Sequence, residues 1–294
     1  MKHRDTFSSF HPVINFLYFG LVLLFTMFLM HPVSIVISLG CSMAYAISLN
    51  GSKAVRFSLI AVFPMMVLTA AVNVLFSHEG ATILNYLPSG NPLTLESILY
   101  GAASSVMLAS VLMWFSCYTQ VMTSDKFVYL FGRIIPALSL VLSMTLRFVP
   151  KFRAQAKVVA QAQACVGRSV SQGSLLRRAK NGITILSILI TWSLEHAIET
   201  ADSMKSRGYG LKGRTAFSIY RFDNRDTYAL LWLLFCGSFI VSGWMAGALQ
   251  WRYYPTVDGE LAVPLQLVYL ALCVTPLIVN GWEANTWKHS SCET

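Results

Sequence analysis

Charge is what this sequence has least of. Asp, Glu, Lys and Arg make up 12% of its 294 residues, against 55% hydrophobic residues, and mean hydropathy is +0.58. A soluble domain carries roughly twice that share of charge. Too little polar surface remains to face water on all sides, which excludes an ordinary soluble globule and leaves an integral membrane protein. Catalytic signatures are also missing. There is no GxxxxGK-Ser/Thr loop to cradle a nucleotide phosphate, no HExxH and no GxSxG, and no pair of carboxylates within an apolar run. Cys41, Cys117, Cys165, Cys236, Cys273 and Cys292 contain no CxxC spacing, and four of the six sit in apolar stretches as small hydrophobes. Neither a disulfide framework nor a zinc site is expected, and no cofactor. A transporter driven by its own ion gradient needs ionisable groups at bilayer depth. None is evident, so the energy for any transport is expected from a partner.

What the chain does have is a series of apolar runs: 14–30, 33–49, 57–76, 96–118, 228–249 and 264–281. Each approaches or reaches the roughly 20 residues a membrane-spanning helix needs. His31-Pro32 separates the first two, and a polar link, residues 50–56, separates the second from the third. Pro64 is a tolerable kink within the third. Glu96 and Asp226 fall at the starts of the fourth and fifth, where negative charge suits a helix N-terminus.

Lysine and arginine set the orientation. Lys2, Arg4, Lys53, Arg56 and Lys126 lie on the connections predicted to be cytoplasmic. The 31–32 turn and residues 77–95 carry neither residue. Arg252, beside Tyr253 and Tyr254, is the exception and reads as an interfacial anchor. Residues 127–149 are apolar enough to cross, but crossing would export fourteen of the 22 basic residues, from Arg147 to Arg225, against four acidic ones. The segment, which includes Arg133, Pro136 and Arg147, is therefore expected to lie on the inner face without spanning. The net charge of +9 belongs to this region rather than to nucleic-acid binding.

The resulting expectation is an all-α polytopic membrane protein with about six transmembrane helices and both termini cytoplasmic. Its divisions are residues 1–126 (membrane), 127–226 (cytoplasmic-face helices) and 227–294 (membrane). Within the middle part, one amphipathic helix is predicted over about 150–166, with Phe152, Ala156, Val159 and Val166 on its apolar face. A break follows at 171–174, then a long helix over 174–206. Its stripe of Leu176, Ala179, Ile183, Leu186, Ile190, Leu194, Ala197, Ala201 and Met204 is expected to pack on this protein or a partner. Arg207, just before Gly208, falls where that helix ends. A cation there complements the helix dipole, or it points outward into another protein.

The block ADSMKSRGYGLKGRT at 201–215 resembles the second signature of the transmembrane T component of energy-coupling factor transporters, the EcfT/CbiQ family. That signature reads Ala-Asp-Ala-Met, two residues, Arg-Gly-Tyr-Gly, then Arg-Thr. GNPLTLESILYGAA (90–103), IPALSLVLSMTLRFVPKF (135–152) and AQAQA (160–164) resemble further family segments in the same order. The resemblance implies a non-catalytic subunit of an ABC-type importer in the prokaryotic plasma membrane. It would join two cytosolic ATPases to a small substrate-binding S component for vitamin or metal-ion uptake. It also implies two coupling helices, each ending in an X-Arg-X motif seated in an ATPase groove. The second motif falls on Ser206-Arg207-Gly208. The first, counted without gaps, falls on Val166-Gly167, with Arg168 two residues later. Either Gly167-Arg168-Ser169 replaces it with a shift, which is the preferred reading, or this arm docks without arginine. Two alternatives remain: a membrane enzyme with a basic cytosolic-face site, and a non-transporting scaffold.

Overall fold

The computed structural model describes residues 5–77, 79–86, 92–132, 136–209, 211, 220–248, 251–260 and 262–290, with backbone alone at 136–139 and 283–290. The fold is all-α with two small hairpins, and it divides into two compact units: Met1–Thr123 with Tyr220–Thr294, and Ser124–Ile219.

In the first unit, α1 (Pro12–Phe28) and α2 (Pro32–Asn50) begin with the same device. His11-Pro12-Val13 and His31-Pro32-Val33 each place proline where a helix has no use for its N–H. In each, the histidine Nδ1 accepts the valine N–H, at 3.3 and 3.2 Å. Gly51, at φ +56, turns the chain directly into α3 (Ser52–Phe57). The expected link at 50–56 is therefore mostly helix, and Lys53 and Arg56 lie on it.

A π-helical turn, Ser58–Val62, joins α3 to α4 (Phe63–Phe76). It precedes Pro64, whose ring would clash with the carbonyl four residues back in a regular helix, and the wider turn relieves that conflict. After the antiparallel hairpin of β1 (Ile83–Tyr86) and β2 (Pro92–Thr94) comes α5 (Leu95–Val121). Thr94 caps α5 by accepting from the Ser97 N–H. Buried Glu96 accepts from the Thr82 N–H and hydroxyl, tying the hairpin to the helix.

The chain re-enters this unit at α9 (Asn224–Met245), opened by a capping box between Asp223 and Asp226. A two-residue-strand hairpin follows, β3 (Trp251–Arg252) with β4 (Asp258–Gly259), and then α10 (Val263–Ser290). Five stretches are long and apolar enough to cross a membrane: Pro32–Asn50, Ser52–Phe76, Leu95–Val121, Asn224–Met245 and Val263–Trp282. Pro12–Phe28 is a shorter apolar helix. These correspond to the six expected runs.

Their connections sort by side. At one end, Tyr253 OH donates to Met30 O at 2.8 Å, Tyr254 OH and Ser77 Oγ are 2.9 Å apart, and the Ala81 N–H donates to Pro255 O. The α1–α2, α4–α5 and α9–α10 connections therefore meet. At the other end, Asn280 Nδ2 donates to Asp5 Oδ1, the Phe7 N–H donates to Asn280 Oδ1, and the His11 N–H donates to Asp226 Oδ1. The N-terminal residues and the C-terminal part of α10 thus share one face.

Between the two ends lies a core of Ile14, Tyr18, Phe19, Val22, Trp114, Tyr269 and Leu272, with Trp114 wholly buried. Several polar atoms inside it pair with one another. Thr26 Oγ1 lies 2.9 Å from Ser38 Oγ and 3.0 Å from Tyr269 OH, and Trp114 Nε1 donates to Ser38 Oγ. Such hydroxyl contacts hold helices together where the surroundings supply no water.

Candidate functional site

The second unit is built from α6 (Ser124–Gly132), α7 (Pro136–Cys165) and α8 (Leu175–Ser206). Residues 136–149 and 150–165 form one 30-residue helix rather than a separate inner-face segment followed by an amphipathic helix. Pro150 costs it one backbone hydrogen bond without ending it. Neither α7 nor α8 is among the candidate spans. Arg133, Gly210, Lys212 and residues 213–215 of the signature lie outside the described residues, as do Gly90 and Asn91.

The helices α7 and α8 run antiparallel. Phe152 meets Trp192 edge-on with ring centroids 5.5 Å apart, and Trp192 stacks on His196 at 5.1 Å. Lys151 Nζ donates to His196 Nε2 and lies 6.0 Å from the Trp192 ring centroid. His196 Nδ1 lies 3.1 Å from Glu199 Oε2. The imidazole thus sits between a cation on α7 and a carboxylate on α8. Val159 and Ile185 are buried within the unit.

The face of α8 turned to α7 carries Ile185, Leu189, Trp192, His196 and Thr200. The stripe read from the sequence lies elsewhere: Leu176, Ile183, Leu186, Ile190 and Leu194 are exposed, Leu176 at 86%. Aromatic size and the His196–Glu199 pair decide the face that packs, and a count of aliphatic residues does not register them. Phe152, Ala156 and Val159 do face α8, whereas Val166 lies past the helix end and is 70% exposed.

Both helices terminate in the same way. Gly167 at φ +77 donates to Ala164 O, and the next residue, Arg168, donates to Gln163 O. Gly208, also at φ +77, donates to Lys205 O, and the next residue, Tyr209, donates to Met204 O. These are matching Schellman caps, each requiring a left-handed residue that only glycine supplies without strain. Matched by their glycines, Arg207 corresponds to Val166, and Arg168 corresponds to Tyr209. Arg207 and Arg168 are both exposed.

Ser206 ends α8 with its hydroxyl on Ser203 O. Ser169 is half-buried, its carbonyl accepting from Asn181 Nδ2, while Arg178 Nε donates to Val170 O. Those two bonds fasten the loop carrying Arg168 to the first turns of α8. The two arginines are therefore not brought together but stand at opposite ends of a 32-residue helix, ~48 Å long at 1.5 Å per residue.

Residues 7–217 match the CbiQ family of cobalt transport proteins. An energy-coupling factor transporter transmembrane protein EcfT from Bacillus selenitireducens is 29% identical over 232 residues, 74% of this chain and 84% of that protein. Proteins of the same name from Lactobacillus helveticus and Brevibacillus brevis are 35% identical over 101 residues and 38% identical over 90, covering about a third of either chain. A multi-pass helical bundle with a separate pair of long helices, matched in this way over most of its length, belongs to the EcfT/CbiQ family of transmembrane components of energy-coupling factor transporters.

Proposed function

We propose that this subunit transmits motion from two ABC-type ATPases to a small membrane S component that binds a vitamin or metal ion. Residues 127–226 act on the cytoplasmic side, and both termini share that side. Arg207, between Ser206 and Gly208, inserts into an acidic groove of one ATPase. The Gly167-Arg168-Ser169 end engages the other, with Val166 exposed beside it. The carrying observation is the matched pair of glycine-capped helix ends, each presenting an exposed arginine, about one α8 length apart. That separation suits two sockets on two subunits. An arginine on a rigid helix end gives a directional, charge-assisted contact. The exposed aliphatic stripe of α8 offers the S component an apolar seat.

The test is Arg207→Glu in the full transporter. Truncating a desolvated interfacial charge costs about 2–5 kcal/mol, and reversing it costs no less. ATPase co-purification is expected to weaken by roughly thirty-fold or more, and uptake to fall, while membrane insertion is unchanged. Wild-type association and uptake in this variant would overturn the assignment.

A further inference from the structure

The second unit has an open groove of about 990 Å³ between the first half of α7 and the last turns of α8. It is lined by Leu140, Met144 and Phe148 on its apolar side and by Arg147, Lys151 and Arg207 on its basic side. We propose that this groove seats one anionic phospholipid, with the phosphate on Arg147 and Lys151 and the upper acyl chain along the apolar wall. The proposal rests on the reading that this unit works at the inner membrane surface.

Three observations carry it. Arg147 and Lys151 are four residues apart on one helix, a spacing at which like charges repel. The carboxylate on the groove wall, Glu199, is already held by His196. A bound anion would relieve that repulsion. Second, α7 carries no charge from Pro136 to Leu146, and Arg147 is its first cation. Those eleven residues are ~16 Å long, about half a bilayer's hydrocarbon thickness. A helix apolar over that length and basic immediately after it has the pattern of a segment dipping into one leaflet, with its cations at headgroup level. Third, Val141, next to the lining residue Leu140, is exposed, which suits acyl chains and not a soluble phosphate. Arg207 stands on the far rim and is left free for the ATPase.

The experiment uses the full-length chain in detergent, with phosphatidylglycerol, phosphatidylcholine or the deacylated glycerophosphoglycerol headgroup added, and bound lipid read by native mass spectrometry. Phosphatidylglycerol is expected to be retained in preference to phosphatidylcholine, and the headgroup alone is expected not to compete. Arg147→Gln should lower phosphatidylglycerol retention about fivefold, the effect of one interfacial cation. Arg147→Lys should recover part of it, and Arg153→Gln, an exposed cation elsewhere on α7, should change nothing. Equal retention of both lipids, an unchanged Arg147→Gln, an equal loss in Arg153→Gln, or competition by the free headgroup would each overturn the proposal. ATPase co-purification of the same Arg147→Gln protein is expected to match wild type. A failed coupling reading would appear in Arg207→Glu alone, and a failed lipid site in Arg147→Gln alone.

Discussion

At the scale of single residues, a glycine within α8 and the glycine that caps it make opposite predictions. Gly208 sits at φ +77, and a Cβ there would also meet Leu211 Cδ1 at 3.2 Å. Gly208→Ala should destabilise the helix end by about 1–2 kcal/mol. Hydrogen exchange should show this as faster exchange of amides in the last turn of α8. Gly182 has ordinary helical geometry, and an added Cβ would meet nothing within 4 Å. Gly182→Ala should slow exchange in its part of α8, stabilising it by about 0.8–1 kcal/mol. If both variants behave alike, the cap does not depend on the left-handed conformation. Arg207-Gly208 was legible in the sequence because a helix-stop glycine and a cation coincide there. The equivalence of Gly167 with Gly208 was one of two registers open in the sequence, the gapless one that puts the first motif on Val166-Gly167. Gly167 lies amid several small and polar residues, 166–174, and backbone hydrogen bonds identify it as the matching cap.

Among the elements, the joint between α7 and α8 is held by Trp192. It meets Phe152 edge-on, stacks on His196 and lies under Lys151. Each aromatic pair contributes about 0.5–1.5 kcal/mol beyond its buried area. With few buried apolar side chains among the described residues of this unit, Trp192→Ala should loosen the joint. Spin labels at the exposed positions 154 and 187 should then give a broader distance distribution, and an unchanged distribution would show that the joint is fixed elsewhere. The six apolar runs were read correctly as helices because length and hydropathy suffice to mark them. Boundaries slipped where local chemistry intervened: at Gly51, where one residue does the work assigned to seven, and at Pro150, which interrupts the hydrogen-bond ladder without ending the helix. Of the two places the aliphatic stripe of α8 was expected to pack, this chain or a partner, the fold leaves the partner: against α7, one tryptophan and one histidine outweigh a longer row of aliphatic residues.

For the whole molecule, sidedness is the testable matter. The contacts of Asp5 and Phe7 with Asn280 put both ends of the membrane unit on one face. On the coupling reading that face is cytoplasmic. Cys165, at the end of α7, is exposed, whereas Cys41, Cys117, Cys236 and Cys273 are buried. In a Cys292→Ser background, a membrane-impermeant maleimide should label Cys165 in inside-out vesicles and leave it unlabelled in intact cells. Labelling from outside would reverse the orientation. The unlike tips of the two arms carry a consequence for the assembly. A twofold-symmetric pair of identical motor subunits offers two equal receptacles, yet here one tip leads with a guanidinium and the other with an isopropyl group at the same cap position. On the coupling reading, such a bracket would fit best on a motor pair whose halves have diverged, and would then seat in one direction only, like a keyed plug.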